Sequence, residues 1–115
     1  HCKNLVEIVS SGAEDLVCCG EPMIKLKANT TDAANEKHVP VIEETATGIT
    51  VTVGSVEHPM TEEHYIVFIE VLTKSEILRK ELSLGEKPKA EFPVKREDVL
   101  EVREFCNLHM LWSAK

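Results

Sequence analysis

The chain has 115 residues, a formal net charge of −7 and only 4% aromatic residues. That length suits one compact domain with a real core and room for a small appended module. The acidic balance argues against nucleic acid or an anionic membrane surface as a partner, and so few aromatics rule out a stacking platform for bases.

Residues 1–27 read as a small module of their own. His1 stands where Met would open a complete chain, so residues are expected to be missing ahead of it. No signal peptide is legible, and no apolar run approaches the ~18 residues that span a bilayer. Leu5, Val6, Ile8 and Val9 predict a short apolar strand, and Ser10-Ser11-Gly12 a turn. Leu16 and Val17 predict a second strand running into Cys18-Cys19-Gly20-Glu21-Pro22. Gly20 and Pro22 turn the chain just after the thiols, which aims several Cys at one point. Four Cys form an even set, but a bridge between the neighbours Cys18 and Cys19 would be strained. Reduced thiols serving metal in the cytoplasm are the better reading. A tetrahedral thiolate site needs four sulfurs. Cys2, Cys18 and Cys19 supply three, an incomplete set for a second metal.

Residues 28–37 are small and polar and read as a linker, with a short helical turn over Asp32 to Lys37 capped by Thr31 or Asp32. From His38 to residue 115 the pattern is β. Val39, Val41 and Ile42 around Pro40 suit an edge strand. Glu43 to Thr47 reads as a turn closed by Gly48. Ile49, Val51 and Val53 alternate with Thr50 and Thr52, the pattern of a half-buried strand. His58 and His64 bracket a loop. Tyr65 to Leu72 is nearly all apolar and predicts a central strand buried on both faces. Ile77 to Leu84 predicts another strand, and Ala90, Phe92 and Val94 a further one. Arg96 to Leu100 reads as a single helical turn. Val102 to Phe105 is expected as the last strand, delivering Cys106. About seven short strands with regularly spaced turns predict an antiparallel β-sandwich.

The chemistry concentrates in Phe105 to Trp112, where Cys106 and His109 stand three positions apart. That spacing lets a thiolate and an imidazole grip one ion. His38, His58 and His64 lie upstream, and only His1 of the five His falls outside this set. Any one of these residues alone reads as a surface His or a buried core thiol. Four imidazoles and one thiolate are too many for a tetrahedral structural zinc site. The spacing leaves the metal open, because imidazole suits iron, copper and zinc alike. A cupredoxin-like electron carrier would leave two His unused and put Met110 too close to His109 for an axial ligand. A non-catalytic sandwich module with bound zinc is the other alternative.

Four separated blocks carry a family resemblance. Glu36 to Glu43, Val53 to Met60, Glu63 to Ile66, and Glu104 to His109 with Leu111-Trp112 resemble the superoxide reductases, the desulfoferrodoxin and neelaredoxin proteins. Asn4 to Glu7 and Leu16 to Met23 resemble the desulforedoxin-like module of the two-iron members. The resemblance implies an immunoglobulin-like sandwich carrying one mononuclear non-haem iron, with His38, His58, His64 and His109 equatorial and Cys106 axial. It implies reduction of superoxide to hydrogen peroxide, a rubredoxin-like electron donor, and a homodimer or tetramer. Glu36 would take the sixth position at rest, and Lys37 would attract the anion and help deliver a proton. The same resemblance puts a four-Cys iron in the N-terminal module. With three thiols, a bound second iron is not expected there. Met110 stands where the family usually has Gly, and Val67-Phe68 where a Trp is common. Ferrous iron with one thiolate leaves the site a net positive charge, so an acidic protein can still draw in superoxide within about 10 Å.

Overall fold

The computed structural model describes residues 2–12, 15–31 and 37–115. In the N-terminal part, β1 (Val17–Cys18) pairs with β2 (Glu21–Pro22) across the two-residue turn Cys19-Gly20. Both turn residues have positive φ, 54° and 79°. This is the arrangement of a type I′ hairpin, whose backbone twist matches that of its strands. The apolar strand expected over Leu5 to Val9 does not form. Those side chains are largely exposed, and among the described residues no strand is paired with them. Apolar content alone could not supply the missing ladder.

The main body is a seven-stranded antiparallel β-sandwich. One sheet has the order β3 (Pro40–Thr45), β4 (Gly48–Val53), β7 (Lys89–Phe92). The other has the order β6 (Ile77–Glu81), β5 (Ile66–Leu72), β8 (Glu101–Cys106), β9 (Met110–Ala114). A 3-10 turn, Arg96–Asp98, precedes β8. Pro40 opens the edge strand β3, where its missing N–H costs no ladder bond. Along β4, Ile49, Val51 and Val53 are buried while Thr50 and Thr52 are not. They meet Ile66, Ile69 and Val71 of β5, Phe92 of β7 and Val102 and Cys106 of β8 in one core. Burying such side chains stabilises the fold by about 1.5–3 kcal/mol each.

Three expectations need correction. The stretch Glu43 to Thr47 is not a turn throughout, because β3 runs to Thr45 and only the last two residues turn. The closing strand is β9, not Val102 to Phe105; Met110–Ala114 hairpins back on β8. In β5 the ladder with β8 shifts register between Ile66 and Phe68. This bulge puts Ile66, Ile69 and Val71 on the core side and hides the period of two that the sequence would otherwise show. On the outer face, Glu70 is buried beneath Arg79 and Arg103, its cross-strand partners on β6 and β8. Arg79 and Arg103 also reach Glu7, which ties the N-terminal segment to this sheet.

The stretch after residue 27 starts as more than a tether. Asn29 lies along β9, accepting from Ser113 N–H and donating to the Leu111 carbonyl, both at 2.9 Å. The helical turn expected over Asp32 to Lys37 falls mainly outside the described residues.

Candidate metal centre

Five donors from four separate places meet at one end of the sandwich. His38 comes from the segment entering β3, His58 and His64 from the loop between β4 and β5, Cys106 from the end of β8, and His109 from the β8–β9 turn. The four rings form a closed square. Centroid separations are 4.7 Å for His38–His58, 4.5 Å for His58–His64, 5.0 Å for His64–His109 and 4.7 Å for His109–His38. The diagonal His38–His64 is longer, 6.2 Å. Each ring is steeply inclined to its neighbours, by 68–80°.

The nitrogens face inward. His58 Nε2 lies 3.0 Å from His38 Nε2, and His109 Nδ1 lies 3.2 Å from the same atom. Two nitrogens held at right angles by one ion, each at about 2.1 Å, would stand about 3.0 Å apart. The spacing is therefore that of donors sharing a cation. The Cys106 sulfur is 3.7 Å from His58 Nε2 and 3.9 Å from His109 Nδ1, two opposite corners of the square. It also lies within 4.8 Å of donor atoms of His38 and His64. The sulfur is thus about equally far from the opposite corners His58 and His109. His58 falls outside the tight group formed by His38, His64, Cys106 and His109. Its 3.0 Å approach to His38 nonetheless makes it a corner of the same ring.

Local structure sets these positions. A carbonyl only accepts, so His58 Nδ1 must donate its proton to the Pro59 carbonyl at 2.8 Å, which leaves the Nε2 lone pair for the centre. Trp112 stacks on His38 at 4.8 Å and 17°, and its Nε1–H donates to the His109 carbonyl at 2.9 Å. Gly54, at φ +79°, sits so close that an added Cβ would lie 2.3 Å from the Lys37 carbonyl oxygen. Its N–H also donates to the Val39 carbonyl at 3.2 Å. This one glycine thus seats the backbone on both sides of His38. Asn107 makes three hydrogen bonds to the residues flanking His64. Neither Trp112 nor Gly54 carries a chemical signal of its own in the sequence. Their roles depend on which residues the fold brings beside them.

Cys106 is fully buried, while His109 is exposed and His64 intermediate. The sulfur thus lies inside, with His38 and His58 buried beside it, and the centre meets solvent along the His64–His109 edge. Lys37 is half-buried next to His38. Glu36 lies outside the described residues. The donor set suits iron: four borderline imidazoles and a soft thiolate are five ligands for an ion that takes six.

Comparison with known proteins identifies the family. The desulfoferrodoxin profile matches residues 30–115, and the desulfoferrodoxin N-terminal domain matches residues 1–26.

The chain belongs to the desulfoferrodoxin family.

It is 55% identical over 114 residues to a desulfoferrodoxin of Syntrophotalea carbinolica, covering 99% of this chain and 90% of that one. It is 53% identical over 115 residues to one of Nitratidesulfovibrio vulgaris, covering 100% and 90%. Among solved structures, the superoxide reductase of Treponema pallidum superimposes with a TM-score of 0.77 at 38% identity, covering 93% of this chain and 85% of that one. As in other desulfoferrodoxins, iron is the metal that this chain binds.

A second group of donors lies in the N-terminal part. Cys2, Cys18 and Cys19 have sulfurs within 4.8 Å of one another. Cys2 and Cys18 are 2.7 Å apart, and the Asn4 amide donates to the Cys18 sulfur at 3.6 Å. The hydrogen bond from Cys18 lowers the Cys2 pKa to about 7, while the same contact raises that of Cys18. The two sulfurs thus share one proton in a single hydrogen bond. Three thiols can hold part of a tetrahedral site.

Proposed function

We propose that this chain reduces superoxide to hydrogen peroxide at one iron held by His38, His58, His64 and His109, with Cys106 on the axis. The observation that carries the reading is the closed square of imidazoles beside a buried sulfur, with solvent reaching its His64–His109 edge. Bound there, ferrous iron supplies the one electron that, with two protons, turns superoxide into hydrogen peroxide. The residues do the rest. Uncharged imidazole ligands would leave the iron's charge offset only by the Cys106 thiolate, so the loaded site would draw in an anion despite the protein's net charge of −7. The hydrogen bond from His58 Nδ1 to the Pro59 carbonyl fixes the tautomer that offers Nε2. The sulfur of Cys106 is shielded from solvent and from competing ligands by the core around it.

The family resemblance assigns Lys37 and Glu36, which precede His38, to the reaction. Lys37 attracts superoxide and delivers a proton, and Glu36 covers the vacant position at rest. Electrons come from a rubredoxin-like donor, and the activity serves detoxification in the cytoplasm, where thiols stay reduced. The chain acts as a homodimer or larger homo-oligomer. Its organisation is a module at 1–27, a linker at 28–37 and the catalytic sandwich at 38–115.

The test is stoichiometric. Reduced, iron-loaded protein exposed to limiting superoxide should yield one peroxide per superoxide and one oxidised iron, with no dioxygen. One peroxide per two superoxides, with dioxygen released, would mean dismutation. No reaction in a protein that holds only zinc would end the enzymatic reading.

A further inference from the structure

We infer that Asn107 is the positioning residue for His64, clamping the loop that carries it to the turn that carries Cys106 and His109. The inference rests on the iron site proposed above. His64 sits in a run of bends, residues 61–64, outside any strand. Its own turn is closed locally by Thr61, whose N–H donates to the His64 carbonyl at 3.0 Å and whose carbonyl accepts from His64 N–H at 3.1 Å. Those bonds shape the turn but tie it to nothing else.

Asn107 supplies the tie. Its Nδ2 donates to the Glu63 carbonyl at 3.0 Å, and its Oδ1 accepts from Tyr65 N–H at 2.8 Å. Its backbone N–H donates to the Tyr65 carbonyl at 3.2 Å. One residue therefore grips the chain immediately before and immediately after His64. Asn107 directly follows Cys106 and lies two positions before His109. Two donors of the site are thereby locked to a third across 42 positions of sequence.

The chemistry of the clamp specifies the side chain. A carbonyl must be met by a donor and an N–H by an acceptor, at one fixed separation. Asparagine offers both from a planar head on a one-carbon stem. Aspartate keeps the acceptor but turns an oxygen toward the Glu63 carbonyl. Alanine loses both contacts. Ligand-orienting hydrogen bonds of this kind typically change metal affinity by about 10- to 100-fold when removed.

The experiment compares wild type with Asn107→Ala, Asn107→Asp and a distant core variant, Val71→Ala, which lowers stability without touching the site. Three readouts are taken: unfolding temperature of the metal-free chains, iron loss to a chelator, and the visible spectrum of the oxidised iron-loaded chains. A fourth, amide hydrogen exchange at Tyr65, is read on metal-free protein. Asn107→Ala should lose iron about 10- to 100-fold faster, shift the sulfur-to-iron band and expose the Tyr65 amide. Asn107→Asp should fall between it and wild type. Val71→Ala should lose stability yet keep the wild-type spectrum. Unchanged Tyr65 exchange and spectrum in Asn107→Ala, or an equal spectral change in Val71→Ala, would overturn the inference. A wild type that holds no iron would instead overturn the functional reading, while the exchange result would still report on the clamp.

Discussion

Replacing Gly54 by Ala is a direct probe of how the fold seats His38. The new Cβ would lie 2.3 Å from the Lys37 carbonyl oxygen, 2.8 Å from that of Val56 and 2.9 Å from the Lys37 carbonyl carbon. All three are backbone atoms, so no side chain can swing aside. The closest contact is about 0.7 Å inside the 3.0 Å that Cβ atoms respect. The residue also holds φ +79°, which costs a non-glycine residue about 1–2 kcal/mol. Together the two effects should destabilise the chain by on the order of 3 kcal/mol. For a domain of this size that lowers the unfolding temperature by roughly 10 °C. The displaced segment is Lys37-His38, so iron should be bound more weakly as well as the fold being less stable. Thermal unfolding of the metal-free chain and iron retention against a chelator measure the two separately. A variant within about 1 kcal/mol of wild type that retains iron normally would refute the claim that Gly54 is the seat of His38.

Four further outcomes are expected. Lys37→Ala should lower the second-order rate with superoxide and flatten its dependence on ionic strength, as stopped-flow measurements across a salt series would show; an unchanged rate would remove Lys37 from the reaction. Met110 holds φ 71° at the end of the β8–β9 turn, so Met110→Gly should stabilise the chain by about 1 kcal/mol in denaturant unfolding. Glu70 receives Arg79 Nε at 3.1 Å and Arg103 Nη2 at 2.6 Å while buried. Because both guanidinium groups stay partly solvated and keep Glu7, Glu70→Ala should cost about 2–3 kcal/mol, below the full penalty of a broken buried pair. In the metal-free chain, alkylation should favour Cys2. Its lowered pKa makes the thiolate appear as pH rises through about 7, and Cys18 should follow only at higher pH. Equal labelling of the two across that range would contradict the shared proton.

The sequence by itself determined the β class, because Ile49, Val51 and Val53 alternate with threonines and the turns recur at short intervals. It also determined the donor types, since Cys106-x-x-His109 and three further His are written in the chain. Four sequence blocks in the right order identified the family. Tertiary structure alone decided how the donors meet. Spacing along a chain carries no angle, and the square of rings exists only where the loop between β4 and β5 faces the β8–β9 turn. The bulge in β5 was illegible for a related reason. An extra residue breaks the period of two, and the run Ile66 to Leu72 then looks uniformly buried. The strand β9 was missed because Met110–Ala114 has no hydrophobic alternation of its own and is held by its pairing with β8. Gly54, Trp112 and Asn107 likewise show ordinary turn, core and loop chemistry in the sequence. Their importance comes from neighbours tens of residues away, which only the folded chain brings into contact.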